Sequence, residues 1–218
     1  MKKLSVSLLT AATVLSSVGG IGNSVYADEG NAKLSTNGEV TFKAPEDVVN
    51  PVNPGDGDQA TGSAGSLVMS LIPNFIFGSH EITGVSGVYN LNRSNRLQVA
   101  DRRGVGEDGK AQGWTVSVSA TDFVKQNGKG KLQGASLLFN SGAVKALTTE
   151  TGAAPKVVKN TVDSSTGATP VFAAQSDEGL GQWEATFADK DVQLNIPVQQ
   201  AGTFTSTLTW SITNTPNV

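Results

Sequence analysis

The sequence predicts an all-β protein: an antiparallel β-sandwich or barrel-like sheet, with an immunoglobulin-like arrangement among its possible forms. Three observations carry this reading. Several segments alternate apolar and hydroxyl-bearing residues with a period of two, which sends one set to a buried face and the other to an exposed one. The chain has 25 glycines in 218 residues, and with Asn, Asp and Pro they punctuate it at the short intervals of strands joined by tight turns. No stretch keeps helical periodicity long enough to make a helix.

The two clearest alternations each carry a tryptophan two residues before a β-branched aliphatic. In Gly113-Trp114-Thr115-Val116-Ser117-Val118-Ser119, the residues Trp114, Val116 and Val118 oppose Thr115, Ser117 and Ser119. In the segment 203–214, Phe204, Leu208, Trp210 and Ile212 share one face, and Thr203, Thr205, Thr207, Thr209, Ser211 and Thr213 share the other. Each segment thus predicts a strand with a core side and a hydroxyl surface.

The remaining elements follow in chain order. Residues 28–65 read as an N-terminal leader and linker, with a short candidate strand around Val40-Thr41-Phe42 within 34–43. Residues 44–65 combine Pro45, Pro51 and Pro54 with Gly55, Gly57, Asp56 and Asp58, the composition of a flexible linker that buries little apolar surface. The β domain is expected to begin near Ser66. There Leu67, Met69 and Leu71 alternate with Val68, Ser70 and Ile72, a strand buried on both faces. Phe75 and Phe77 flank Ile76 in 73–78, and their spacing favours one core-facing pair over an exposed aromatic pair. Residues 82–95 are turn-rich. Leu97 and Val99 mark a strand that ends in the turn 101–109. After the Trp114 strand, 123–130 reads as a loop and 132–140 as a strand with Leu137 and Phe139 on one side. Residues 141–165 hold short strands or loops. An irregular connection over 164–181 contains a short strand at 170–174. Trp183, Ala185 and Phe187 alternate with Glu184 and Thr186, and Val192, Leu194, Ile196 and Val198 alternate with Gln193, Asn195 and Gln199. Ala201-Gly202 is a turn signal before the last strand.

Lys2 and Lys3, the apolar stretch over 4–18 and the small-residue site Val25-Tyr26-Ala27 read as a signal peptide over 1–27, cleaved after Ala27. The expected mature chain has 14 basic and 19 acidic residues, a formal net charge of −5. Such a chain lacks the basic face that nucleic acid demands and has no bulk attraction to an anionic wall. No sorting signal of the Leu-Pro-x-Thr-Gly type and no apolar tail is read, so no covalent anchor and no membrane span is expected in the mature chain. With no cysteine, thiol catalysis, disulfides and zinc–thiolate sites are excluded, and a chain of this size builds its core without staples.

Trp114 and Trp210 each suit the flat face of a sugar, but their place on apolar strand faces favours packing inside the sheet, with the indole N–H free to find a partner at the rim. Trp183 reads as core or interface. Asp101-Arg102-Arg103-Gly104 offers the forked donors that grip carboxylates or carbonyls, set against a plain solvated turn. His80, the single histidine, lies in a Gly78-Ser79-His80-Glu81 run without a nucleophile elbow and reads as a loop residue. Asp56-Gly57-Asp58 and Asp189-Lys190-Asp191 hint at calcium without continuing into a calcium loop. No catalytic residue, metal or cofactor is expected.

The Pro73-Asn74-Phe75-Ile76-Phe77-Gly78 block, the Leu97-Gln98-Val99-Ala100-Asp101-Arg102-Arg103-Gly104 block, Trp114-Thr115-Val116 and the Leu208-Thr209-Trp210-Ser211-Ile212-Thr213-Asn214-Thr215-Pro216 end resemble, in order and spacing, the WxL-domain family of Gram-positive surface proteins, from about residue 66 to 216. Here Val116 and Ile212 stand where the motif has leucine, which keeps an aliphatic side chain. The resemblance implies an extracellular, non-enzymatic protein attached noncovalently to cell-wall peptidoglycan through a WxL-like domain over 66–218. It also implies partnership with other surface proteins, including membrane-anchored WxL-interacting companions. The alternative is a protein–protein module held at the wall indirectly by such a companion. A secreted hydrolase is a weaker third reading, since no catalytic constellation is visible. The candidate binding residues are Trp114, Val116, Trp210, Ile212, Asp101, Arg102 and Arg103.

Overall fold

The structure, a computed structural model, describes residues 35–149 and 152–216. The signal peptide expected over 1–27 lies outside the described residues. The chain divides into two compact units, 1–41 and 42–218. In the first, the described residues 35–41 form no regular element. The short strand expected around Val40-Thr41-Phe42 does not form; Val40 and Phe42 are exposed and have no partner strand to complete their backbone hydrogen bonds.

The second unit is built from strands joined by turns, with no helix among the described residues. In chain order they are β1 (Gln59–Ala60), β2 (Leu67–Ile72), β3 (Gly87–Asn90), β4 (Asn95–Asp101), β5 (Trp114–Ala120), β6 (Val124–Lys125), β7 (Ser136–Phe139) and β8 (Ala143–Ala146). There follow β9 (Lys156–Val157), β10 (Asn160–Val162), β11 (Thr169–Ala174), β12 (Gly181–Phe187), β13 (Val192–Ile196), β14 (Phe204–Thr205) and β15 (Leu208–Thr213). They assemble into open sheets of order β1-β2-β4-β12-β8, β10-β7-β13-β3 and β15-β5-β11-β9, with β14-β6 as a two-stranded ribbon. The strand ladders are antiparallel. None closes into a barrel, so the all-β expectation resolves to open sheets packed around a shared core.

The core takes Leu97, Val99, Trp183, Ala185 and Phe187 from the first sheet, Leu137, Phe139, Val192 and Leu194 from the second, and Trp114, Val116, Val118 and Phe172 from the third. These are the apolar sets that the period-2 patterns predict. Val198 is the exception: β13 stops at Ile196, and Val198 lies outside it, exposed.

Glu184 departs from the alternation in a more instructive way. It is buried, as are Gln98 and Ala100 on the same face of the first sheet. That face is covered by residues 47–65, the stretch whose composition predicts a flexible linker. The covering segment pairs with itself, since Val49 N–H donates to Ser63 O at 3.0 Å and Gly65 N–H to Asp47 O at 3.2 Å. Val49 packs with Val68 and Ala100 in a small apolar cluster. The Gln98 side chain mimics a strand partner: it accepts from Val52 N at 2.8 Å and donates to Val52 O at 2.6 Å. Arg93 donates to the carbonyls of Asp56 and Gly57, Arg96 to that of Asn53, and Arg102 to those of Asp47 and Gly65. The segment is therefore held by arginine and amide donors on its carbonyls, a means that an apolar-content reading does not register. Asp58, one of the residues hinting at calcium, accepts from Asn74 N, Asn95 Nδ2 and Arg96 N. Among the described residues no group of three or more acidic or histidine side chains could hold a metal.

This arrangement predicts that limited proteolysis of the intact protein spares 47–65. A chain started at Ser66 should lose at least about 2 kcal/mol, because Val68 and Ala100 become exposed and Gln98 loses its two hydrogen bonds to Val52. Denaturant unfolding of the two chains measures this; equal midpoints would mean that the covering segment contributes nothing.

Candidate functional site

The two tryptophan segments, 96 positions apart in sequence, lie side by side. β15 pairs antiparallel with β5, placing Ile212 opposite Val116, Trp210 opposite Val118, Ser211 opposite Ser117 and Thr209 opposite Ser119. Their environments nevertheless differ. Trp114 is fully buried, its ring edge-to-face with Phe172 at 5.0 Å, and its Nε1–H donates to Gly179 O at 3.1 Å. Gly179 has φ +75°, and a Cβ there would fall 2.4 Å from Ala174 Cβ and 2.6 Å from Trp114 Nε1. Only glycine fits both that backbone and that approach. The turn before it is fastened by Glu178, whose carboxylate accepts from Gln175 N at 3.0 Å and from Lys156 Nζ at 3.1 Å. The Gln175 N–H first, and Lys156 after it, hold this carboxyl below its ordinary range.

Trp210 is only half-buried. Its ring lies 6.2 Å from that of Phe75 and 6.5 Å from that of Phe139. Val116 is sealed and Ile212 half-buried. The opposite side of β15 presents Thr209, Ser211 and Thr213 to solvent. No charged residue follows Asp191 in the sequence, so this hydroxyl surface is electrically neutral along the strand.

Trp210 reaches a cleft of about 620 Å³ walled mainly by residues 72–82 and 199–210. Phe75 and Phe77 pack against the core from the first wall although residues 73–82 form no strand. Tyr89 and Gln199 brace the rim: Gln199 Nε2 donates to Tyr89 Oη at 2.6 Å, and its Oε1 accepts from Thr83 N at 2.7 Å and Gly84 N at 3.3 Å. His80 donates from Nε2 to Phe77 O at 2.6 Å and stacks on Tyr89 with ring centroids 4.3 Å apart. These contacts give the histidine a bracing place at the rim.

Asp101, Arg102 and Arg103 stand apart from the cleft lining. The Asp101 side chain is sealed and receives Arg103 Nε at 2.9 Å and Nη2 at 2.7 Å. Arg103 Nη2 also donates to Gly113 O at 2.7 Å, one residue before Trp114. Arg102 pairs with Asp47 at 3.0 Å and ties down Gly65. The forked donors of Arg102 and Arg103 are occupied in clamping the covering segment and the start of β5, while Gly104 is exposed. Sequence reasoning did not identify Gly179, Tyr89 or Gln199. Gly179 lies in the stretch 164–181 that reads as an irregular connection, but its contact with Trp114 spans 65 positions.

A family model described as "WxL domain surface cell wall-binding" matches residues 29–216. No curated protein and no solved structure matches the chain.

Proposed function

The chain belongs to the WxL domain family, described as surface cell wall-binding, and from that premise we propose that it is an exported protein that holds noncovalently to peptidoglycan and acts by binding. The observation that carries this reading is the match itself, which spans nearly the whole chain. The electrostatics support a particular manner of attachment. An expected net charge of −5 repels anionic polymers, so attachment relies on hydrogen bonds and aromatic contact at neutral surface. The uncharged stretch after Asp191, with the hydroxyl face of β15 and the half-buried Trp210, provides such a surface.

The test is co-sedimentation of the mature protein with purified walls stripped of protein. Retention should persist as salt is raised, because neutral contacts are not screened. Release of soluble wall fragments would point to a hydrolase instead. One observation favours a second reading: β15 is the outer strand of its sheet and carries no charge to discourage pairing, so a strand from a companion protein could extend it. Under that reading, stripped walls fail to retain the protein and walls carrying the companion succeed.

A further inference from the structure

We infer that the cleft beside Trp210 seats a neutral, N-acetylated sugar of the wall glycan, with Trp210 as its stacking platform; this rests on the wall-binding reading above. Two parts of the chain distant in sequence, the block Pro73-Asn74-Phe75-Ile76-Phe77-Gly78 and the pair Leu208 and Trp210, come together in its walls, with the Phe75 and Trp210 rings 6.2 Å apart. Of the three tryptophans, Trp114 and Trp183 are buried at 0% and 5% exposure, and both spend their indole N–H on a backbone carbonyl. Trp210 alone is half-buried, and it borders the cleft. The volume of about 620 Å³ falls within the range of small-molecule sites.

The charge of the lining chooses among wall components. It contains no lysine and no arginine, and Glu81 is its one carboxylate. A stem-peptide carboxylate or a polymer phosphate would find no lysine or arginine there to replace its water, and His80, which also lines the cleft, has its Nε2–H committed to Phe77 O. An uncharged sugar needs none. Its C–H face lies on an aromatic plane, and its hydroxyl and amide groups meet side-chain amides and hydroxyls such as those of Gln200 and Thr203 at the rim. The acetamido methyl group suits the apolar part of the lining, which includes Phe75, Leu132 and Leu208. The rim is set before binding, since Gln199 already ties the backbone of 83–84 to Tyr89, which lowers the ordering cost of occupancy.

The experiment titrates the full mature chain with chitohexaose, cellohexaose and a free stem pentapeptide, by calorimetry and by acrylamide quenching of tryptophan fluorescence. Chitohexaose should bind and shield the quenchable emission; the other two should do neither. Trp210→Phe should abolish the quenchable component and weaken binding at least about tenfold. Gln200→Ala, at an exposed position, should weaken binding without moving the melting temperature. Silence from chitohexaose, equal binding of cellohexaose, binding of the pentapeptide, or full affinity in both folded variants would overturn the inference. If stripped walls still retain the protein in those cases, the wall-binding reading stands and only the sugar assignment falls. If they do not, the underlying reading falls with it.

Discussion

Trp114→Ala is expected to destabilise the protein by about 3–5 kcal/mol, the range for removing a fully buried large aromatic. The cost has two sources. A cavity opens between β5 and β11 where the ring meets Phe172, and the carbonyl of Gly179 loses its donor. Gly179→Val should be as damaging from the other side, because its Cβ would sit inside contact distance of Trp114 and Ala174 and its φ of +75° disfavours a β-branched residue. Trp210→Ala is expected to cost less, as a half-buried ring leaves a cavity that solvent fills, while wall retention falls. Denaturant unfolding with a parallel wall-binding measurement separates the two. A Trp114→Ala protein that melts like the parent would show that the tryptophan is not a core residue.

The second large effect is expected at Asp101. Its side chain is fully buried, and Arg103, 12% exposed, donates to both of its oxygens. Asp101→Ala leaves that guanidinium buried without its counter-charge, for a loss of about 3–5 kcal/mol. Removing both partners should be milder than the sum of the single changes, since no uncompensated charge remains. Both single variants are expected to lose wall retention only in proportion to unfolding, because this pair ties down the start of β5 at Gly113 O. If folded Asp101→Ala or Arg103→Ala protein failed to bind walls, the turn would be a ligand contact.

The strands that the sequence makes legible are those whose alternation is local and clean. β2, β5 and β12 match their predicted segments, β15 is the second part of the strand predicted over 203–214, and Leu137 and Phe139 fall on one buried side of β7 as expected. The alternation over 203–214 is followed residue by residue, half-buried at even positions and exposed at odd ones from Thr203 to Thr213. Yet this stretch is two elements. Phe204 and Thr205 pair with β6, Leu208 onward pairs with β5, and Ser206 Oγ donates to Thr121 O between them. A change of partner strand leaves the pleat in step, so it leaves no mark on the pattern. β3 was hidden among turn residues because Gly87–Asn90 owes its strand form to β13, and β6 in a stretch read as a loop owes its form to β14.

The boundary at residue 66 illustrates the same limit. Composition separates a proline- and glycine-rich stretch from an apolar one, and the family match begins well before that boundary, at residue 29. The structure adds why the earlier stretch has a place: Gln98, Arg93, Arg96 and Arg102 reach its carbonyls from the sheet.

By itself the sequence determined that the protein is all-β, which apolar residues of its regular strands face the main core, and which family carries its motifs. Those are properties of residue order, because the pleat alternates faces whatever lies beyond them. The tertiary structure decided what covers each face. Two tryptophans in matching patterns became a sealed core residue beneath Gly179 and a half-open cleft residue beside Phe75. Burial depends on chain segments brought from 65 to 135 positions away, and no local pattern encodes their arrival.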